Sequence, residues 1–175
     1  FTAGNRIDVT IGPGSQFNQV GSLELNAFTD TQGGIVDIDI TGPGSLTTGS
    51  GQMIVDGTFN ILAGVEGTQS RDASVDDGTD TFGGAINVDI TQGGLLDISG
   101  GPRFNRSTFS ASASANHGVV TGADSFGGTI DFTIGGADST LIADGFFGLE
   151  LYARGNATST FRGTSTGGSG TGGAV

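Results

Sequence analysis

Cysteine and tryptophan are absent from this chain of 175 residues, and prolines number only 3, tyrosines 1, histidines 1 and lysines plus arginines 6. Without cysteine there is no disulfide, no thiolate metal site and no cysteine nucleophile, a usage that suits a cytosolic or a bacterial secreted protein. One histidine, His117, excludes a histidine-rich metal site within the chain. Six cations stand against 18 carboxylates, for a formal charge of -12. Nucleic acid is thereby excluded as the main partner, because neutralising a phosphate backbone takes clustered Lys and Arg. Apolar runs are only a few residues long, so nothing reads as a membrane-spanning helix, and no basic-then-apolar start reads as a signal peptide.

Glycine is abundant, at 35 residues. Mean hydropathy is nevertheless +0.03, and Ile, Val, Leu and Phe recur in order, as a folded chain requires and a disordered one does not. Gly-Gly pairs fall at Gly33-Gly34, Gly83-Gly84, Gly127-Gly128 and Gly172-Gly173, steps of 50, 44 and 45 residues. An alternating phrase follows each: Ile35 to Ile40, Ala85 to Ile90, Thr129 to Ile134, and the beginning of another at Ala174-Val175. Ile7 to Ile11 is an earlier copy. A second phrase appears in the later copies as Met53 to Asp56, Leu95 to Ile98 and Leu141 to Asp144. A third closes each unit as Leu23 to Ala27, Phe59 to Ala63, Phe109 to Ala113 and Leu149 to Ala153. Strict alternation of apolar and polar residues predicts strands with one buried face, and glycine is too frequent for helices.

Three strands and a polar segment, repeated in order, predict an all-β fold: a parallel β-solenoid, or β-helix, of about four coils. The approximate units are 4–32, 33–82, 83–126 and 127–171 of a single repetitive segment spanning 1–175. Ile7, Ile38, Val88, Ile130, Leu23, Phe59, Phe109 and Leu149 are expected inside, with Phe132 filling a wide place. The glycine pairs are expected at corners, and Gly-Pro-Gly at 12–14 and 42–44 in tight turns. A β-sandwich fibre subunit is the alternative, but a sandwich gives each strand a different environment and no reason for three phrases to recur in order. Neither end reads as a polar cap, so the chain is expected to be a window of a longer array.

The phrases Gly-Gly-Ala-Ile-Asn-Val-Asp-Ile and Gly-Gly-Leu-Leu-Asp-Ile-Ser-Gly, with the closing Thr-Gly-Gly-Ser-Gly-Thr-Gly-Gly-Ala-Val, resemble repeats of filamentous-haemagglutinin-like and autotransporter-type bacterial surface proteins. That resemblance implies a right-handed parallel β-solenoid (β-helix) exported to the cell surface or beyond, serving as an adhesin or biofilm fibre, with host or matrix glycans as partners. The expected role is a structural stalk or fibre. Two other classes are a small extracellular subunit that polymerises by strand donation, and a carbohydrate-active β-helix enzyme.

In-register stacking would place Asp8, Asp37, Asn87 and Asp131 in one outward ladder and Thr10, Asp39, Asp89 and Thr133 in another. Repulsion within them could be relieved by calcium, a hard cation that takes several oxygens, or the face could simply be solvated. Asp37, Asp39 and Asp89 are the candidate ligands there. Asp76, Asp77 and Asp80, with Asp72 beside them, form a second candidate, although no EF-hand or Gly-Gly-x-Gly-x-Asp pattern accompanies them. An acid–base pair would draw on Asp37 and Asp89, yet the outward residues are small, acidic or hydroxyl, no cleft of aromatics and Arg has a source, and Tyr152 is the sole Tyr. The chain is therefore expected not to be an enzyme. Arg103 and Arg106 flank Phe104 in the one basic cluster, which could touch an anionic glycan or lie solvated. Asn105-Arg106-Ser107 and Asn156-Ala157-Thr158 match the glycosylation sequon, which often arises by chance.

Overall fold

The computed structural model describes residues 1–29, 32–43, 49–64, 81–99, 108–113, 115–117, 125–144, 149–152, 155–157 and 165–166. All secondary structure among them is β, with no helix. After β1 (Thr2–Ala3), the first repeat holds β2 (Arg6–Ile11) and β3 (Gln16–Ala27), and the second holds β4 (Ile35–Thr41), β5 (Gln52–Leu62) and β6 (Thr81–Phe82). The third brings β7 (Ala85–Thr91), β8 (Leu95–Ser99) and β9 (Thr108–Ser112). Then come β10 (Ala115–His117), β11 (Ser125–Phe126), β12 (Thr129–Gly135), β13 (Thr140–Asp144), β14 (Leu149–Tyr152), β15 (Gly155–Ala157) and β16 (Ser165–Thr166).

Two main sheets carry the fold. One has the order β2-β4-β7-β12; the other runs β1-β3-β5, continuing through β8 to β13 and through β9 to β14. Short outer sheets join β6, β11 and β16, and β10 with β15. All these ladders are parallel, and each main-sheet strand pairs with its equivalent one repeat away. An antiparallel sandwich does not pair this way, and no closed barrel forms among the described residues.

Register converts the alternation of the sequence into columns of like residues. Val9, Ile38, Val88 and Phe132 follow one another across the four-stranded sheet, as do Ile7, Val36, Ile86 and Ile130. Branched side chains suit these half-buried pleats. On the other sheet Leu23, Phe59, Phe109 and Leu149 are in register, and Phe59 and Phe109 are among the largest fully buried side chains. Of the residues expected inside, Ile38, Val88, Ile130, Leu23, Phe59, Phe109 and Phe132 are buried. Ile7 is only partly buried, because β2 is an edge strand. The Leu149 side chain lies outside the description.

Two features depart from the reading of the sequence. Gln16 to Val20, which carries no obvious phrase, is the first half of β3 and pairs with Gln52 to Asp56. The second and third phrases of the early repeats are also continuous strands: β3 and β5 pass through the paired glycines Gly21 and Gly57, at φ 100° and 145°. Glycine tolerates those angles, so the strand redirects without losing its ladder. β16 places Ser165-Thr166 in register with Ser125-Phe126, and in sequence Gly167-Gly168 follows the one as Gly127-Gly128 follows the other.

The corners behave as expected where they are described. Ser15 donates to the Gly12 carbonyl across Pro13-Gly14, closing a tight turn with Gly14 at φ 73°. Gly44 of the second Gly-Pro-Gly lies outside the described residues. At the glycine pairs backbones approach so closely that a Cβ on Gly84 or Gly128 would meet the carbonyl oxygen of Gly34 or Gly84 one repeat away.

Candidate functional site

The outward face of the four-stranded sheet gathers most of the described polar chemistry. Period-2 alternation sends Asp8, Asp37, Asn87 and Asp131 to one ladder, and Thr10, Asp39, Asp89 and Thr133 to the next. Both ladders stand in the expected register.

Asp37 is the hub of the first. Its Oδ1 accepts a 2.5 Å hydrogen bond from Asn87 Nδ2, and its Oδ2 accepts from Arg6 Nη2. Arg6 Nε donates to Asp8 Oδ1 at 2.6 Å, so one guanidinium bridges two repeats. The Asp37 side chain is 19% exposed, against 52% for Arg6 and 57% for Asp8. The guanidinium is held above its ordinary pKa, first by the hydrogen bond to Asp8 and then by the charge of Asp37. Arg6 was not among the residues singled out from the sequence. Its signal was its position, two residues before Asp8 and therefore on the same face.

Asp39 and Asp89 are direct neighbours on adjacent strands, with Thr10 and Thr133 beyond them. No hydrogen bond or ion pair engages either among the described residues. Like charges so placed repel, and water and salt screen them.

Calcium requires six to eight oxygen ligands. Among the described residues no group of three or more His, Cys, Asp or Glu is placed to hold a metal ion. Asp37 already serves Arg6 and Asn87, which leaves Asp39 and Asp89 as a pair of carboxylates on adjacent strands. Asp72, Asp76, Asp77 and Asp80 lie outside the described residues, as do Arg103, Phe104, Asn105 and Arg106. Asp37 and Asp89, considered as an acid–base pair, stand on different ladders, and Asp37 is engaged by two donors. His117 and Asn156 belong to β10 and β15, whose register pairs Asn116 with Asn156 and His117 with Ala157.

Two other outward positions stand out. Asp97 is flanked in register by Ile54 and Ile142, and its Oδ1 is buried without a hydrogen-bond partner. Phe82 and Phe126 stack on the small outer sheet with centroids 5.1 Å apart and planes 9° apart, and Phe82 is 45% exposed.

No protein-family model matches the chain, and neither the curated proteins nor the solved structures include a significant match to it. No described helix is long and apolar enough to cross a membrane.

Proposed function

We propose that the chain is a right-handed parallel β-solenoid segment whose function is structural: a stiff, acidic stalk or fibre of a large secreted bacterial surface protein engaged in adhesion or biofilm. The observation that carries this reading is the register of Val9, Ile38, Val88 and Phe132, one residue per repeat in a single parallel column. Repeats paired like this support each other through nearest-neighbour contacts and build a rod lengthening by about 4.8 Å per coil. Right-handedness follows from the strong preference of parallel strands joined by a crossover within one sheet. The role at a bacterial surface, and host or matrix glycans as partners, rest on the resemblance of the repeat phrases.

The outward face fits such a role. It presents carboxylates, hydroxyls and amides, which keep a rod soluble through net charge. The carbohydrate-active reading has less support, since the carboxylate it would use is occupied by Arg6 and Asn87. The test is the denatured mass of the parent polypeptide, taken without protease, together with electron microscopy of the native material. A mass many times 17.3 kDa and rods of matching length support the stalk. A mass near 17.3 kDa with filament formation would replace it by the strand-donating subunit.

A further inference from the structure

We infer that the corner between the third phrase of each repeat and the following glycine pair is an insertion site, where the core closes across the base of whatever leaves it. The segment leaving the second repeat there, residues 64–82, is then exchangeable and dispensable to the fold. The inference rests on the stacked-repeat reading proposed above.

The closure is the same each time. The carbonyl oxygens of Ala27, Ala63 and Ala113 accept from the amides of Gly34, Gly84 and Gly128 at 2.7, 2.6 and 2.7 Å. All three alanines are 0% exposed. Between alanine and glycine pair, however, the chain runs through 28–32, 64–82 and 114–126, that is 5, 19 and 13 residues. The bond is thus indifferent to the length of chain it spans.

A version with nothing inserted stands beside these. Ala3 pairs with Ala27 and is followed at once by Gly4-Asn5. There the Asn5 carbonyl accepts from Ile35 at 2.7 Å, as the Gly34 carbonyl accepts from Ala85 at 3.0 Å and that of Gly84 from Thr129 at 2.9 Å. Asn5 so takes the place of the second glycine, and the next strand starts in register. Lengthening a closed segment adds entropy only logarithmically, which makes long insertions tolerable. The first of the other corners spans 13–15, 42–51, 92–94 and 136–139, and the second spans Gly21, Gly57, 100–107 and 145–148, so the two longest of these connections, 64–82 and 114–126, both follow the third phrase. Segments inserted at one corner would be free to vary in sequence and length while the core stays constant.

The experiment replaces residues 64–80 by Phe-Thr-Asp, the sequence of 28–30. Thr81 and Phe82 are kept, so the connection has the length of 28–32 and Phe82 still accepts from Gly33. Far-UV circular dichroism should be retained, and Tm should stay level or rise by about 2–5 °C, as expected for a shortened closed segment. Slow amide exchange at Ile38 and Val88 should also survive. A fall in Tm of more than about 10 °C, or loss of that protection, would overturn the inference. Wild type and variant are both cross-linked through cysteines at 39 and 89. Failure in wild type defeats the stacked reading itself, whereas failure in the variant alone defeats only the insertion site.

Discussion

Phe59 and Phe109 occupy the same position of successive repeats and stack at 5.1 Å between centroids, their planes inclined by 21°. Phe132, from the opposite sheet, meets Phe109 edge-on at 5.7 Å. Two sheets are thereby joined by three rings, each bringing large apolar area and a preferred geometry.

Phe109→Ala is expected to destabilise the protein by about 3–5 kcal/mol, since it empties a site that touches both neighbouring rings. A double-mutant cycle with Phe59→Ala in urea should return a coupling of about 1 kcal/mol. Strict additivity would mean that the rings do not meet.

Gly84→Ala should be far worse than its single carbon suggests. The added Cβ would meet the carbonyl oxygens of Gly34 and Ala63, backbone atoms that cannot give way. A loss of at least about 3 kcal/mol is expected. Gly12, with nothing within 4 Å and no positive φ, is the control, and Gly12→Ala should change stability by no more than about 0.5 kcal/mol. Equal effects at the two sites in thermal melts would refute the close stacking of the glycine pairs.

Asp97→Val is expected to stabilise. The carboxylate stands between Ile54 and Ile142 with Oδ1 buried and unpaired, whereas a branched side chain would continue an apolar ladder. Removing the unsatisfied oxygen should add about 1 kcal/mol, read as a raised Tm. A lowered Tm would show that Asp97 holds a partner.

At Asp39 and Asp89 the expectation is electrostatic. Asp89→Asn should raise Tm more at about 0.01 M salt than at about 1 M, where the Debye length shrinks to about 3 Å. Millimolar calcium should give wild type no greater Tm shift than the same ionic strength of a monovalent salt. A saturable shift that Asp89→Asn abolishes would contradict this and assign calcium to the pair.

Much of this arrangement was legible because two simple periods reinforce each other. Alternation assigns a face to Asp37, Asp39 and Asp89, and the glycine pairs set the offset between repeats, so both ladders could be written down in register. Gln16 to Val20 gives no apolar alternation because it is a strand through pairing with β5, with Gln16 Nε2 donating to Gln52 Oε1 at 3.1 Å and Val20 turned to the exposed face. Alternation of apolar residues carries little of that. Arg6 was overlooked because its role depends on Asp37, 31 residues away in sequence and adjacent in space.

The most direct measurement uses the absence of cysteine. Asp39→Cys with Asp89→Cys puts two thiols on neighbouring parallel strands, about 4.8 Å apart along the ladder, within reach of a disulfide. Asp39→Cys with Thr91→Cys shifts the pair by two residues on the same face, beyond the about 7 Å that a disulfide can bridge. Mild oxidation should cross-link the first pair and leave the second reduced, as read by mass spectrometry of the digested chain. Cross-linking of the second pair, or of neither, would contradict the parallel in-register stack on which the account stands.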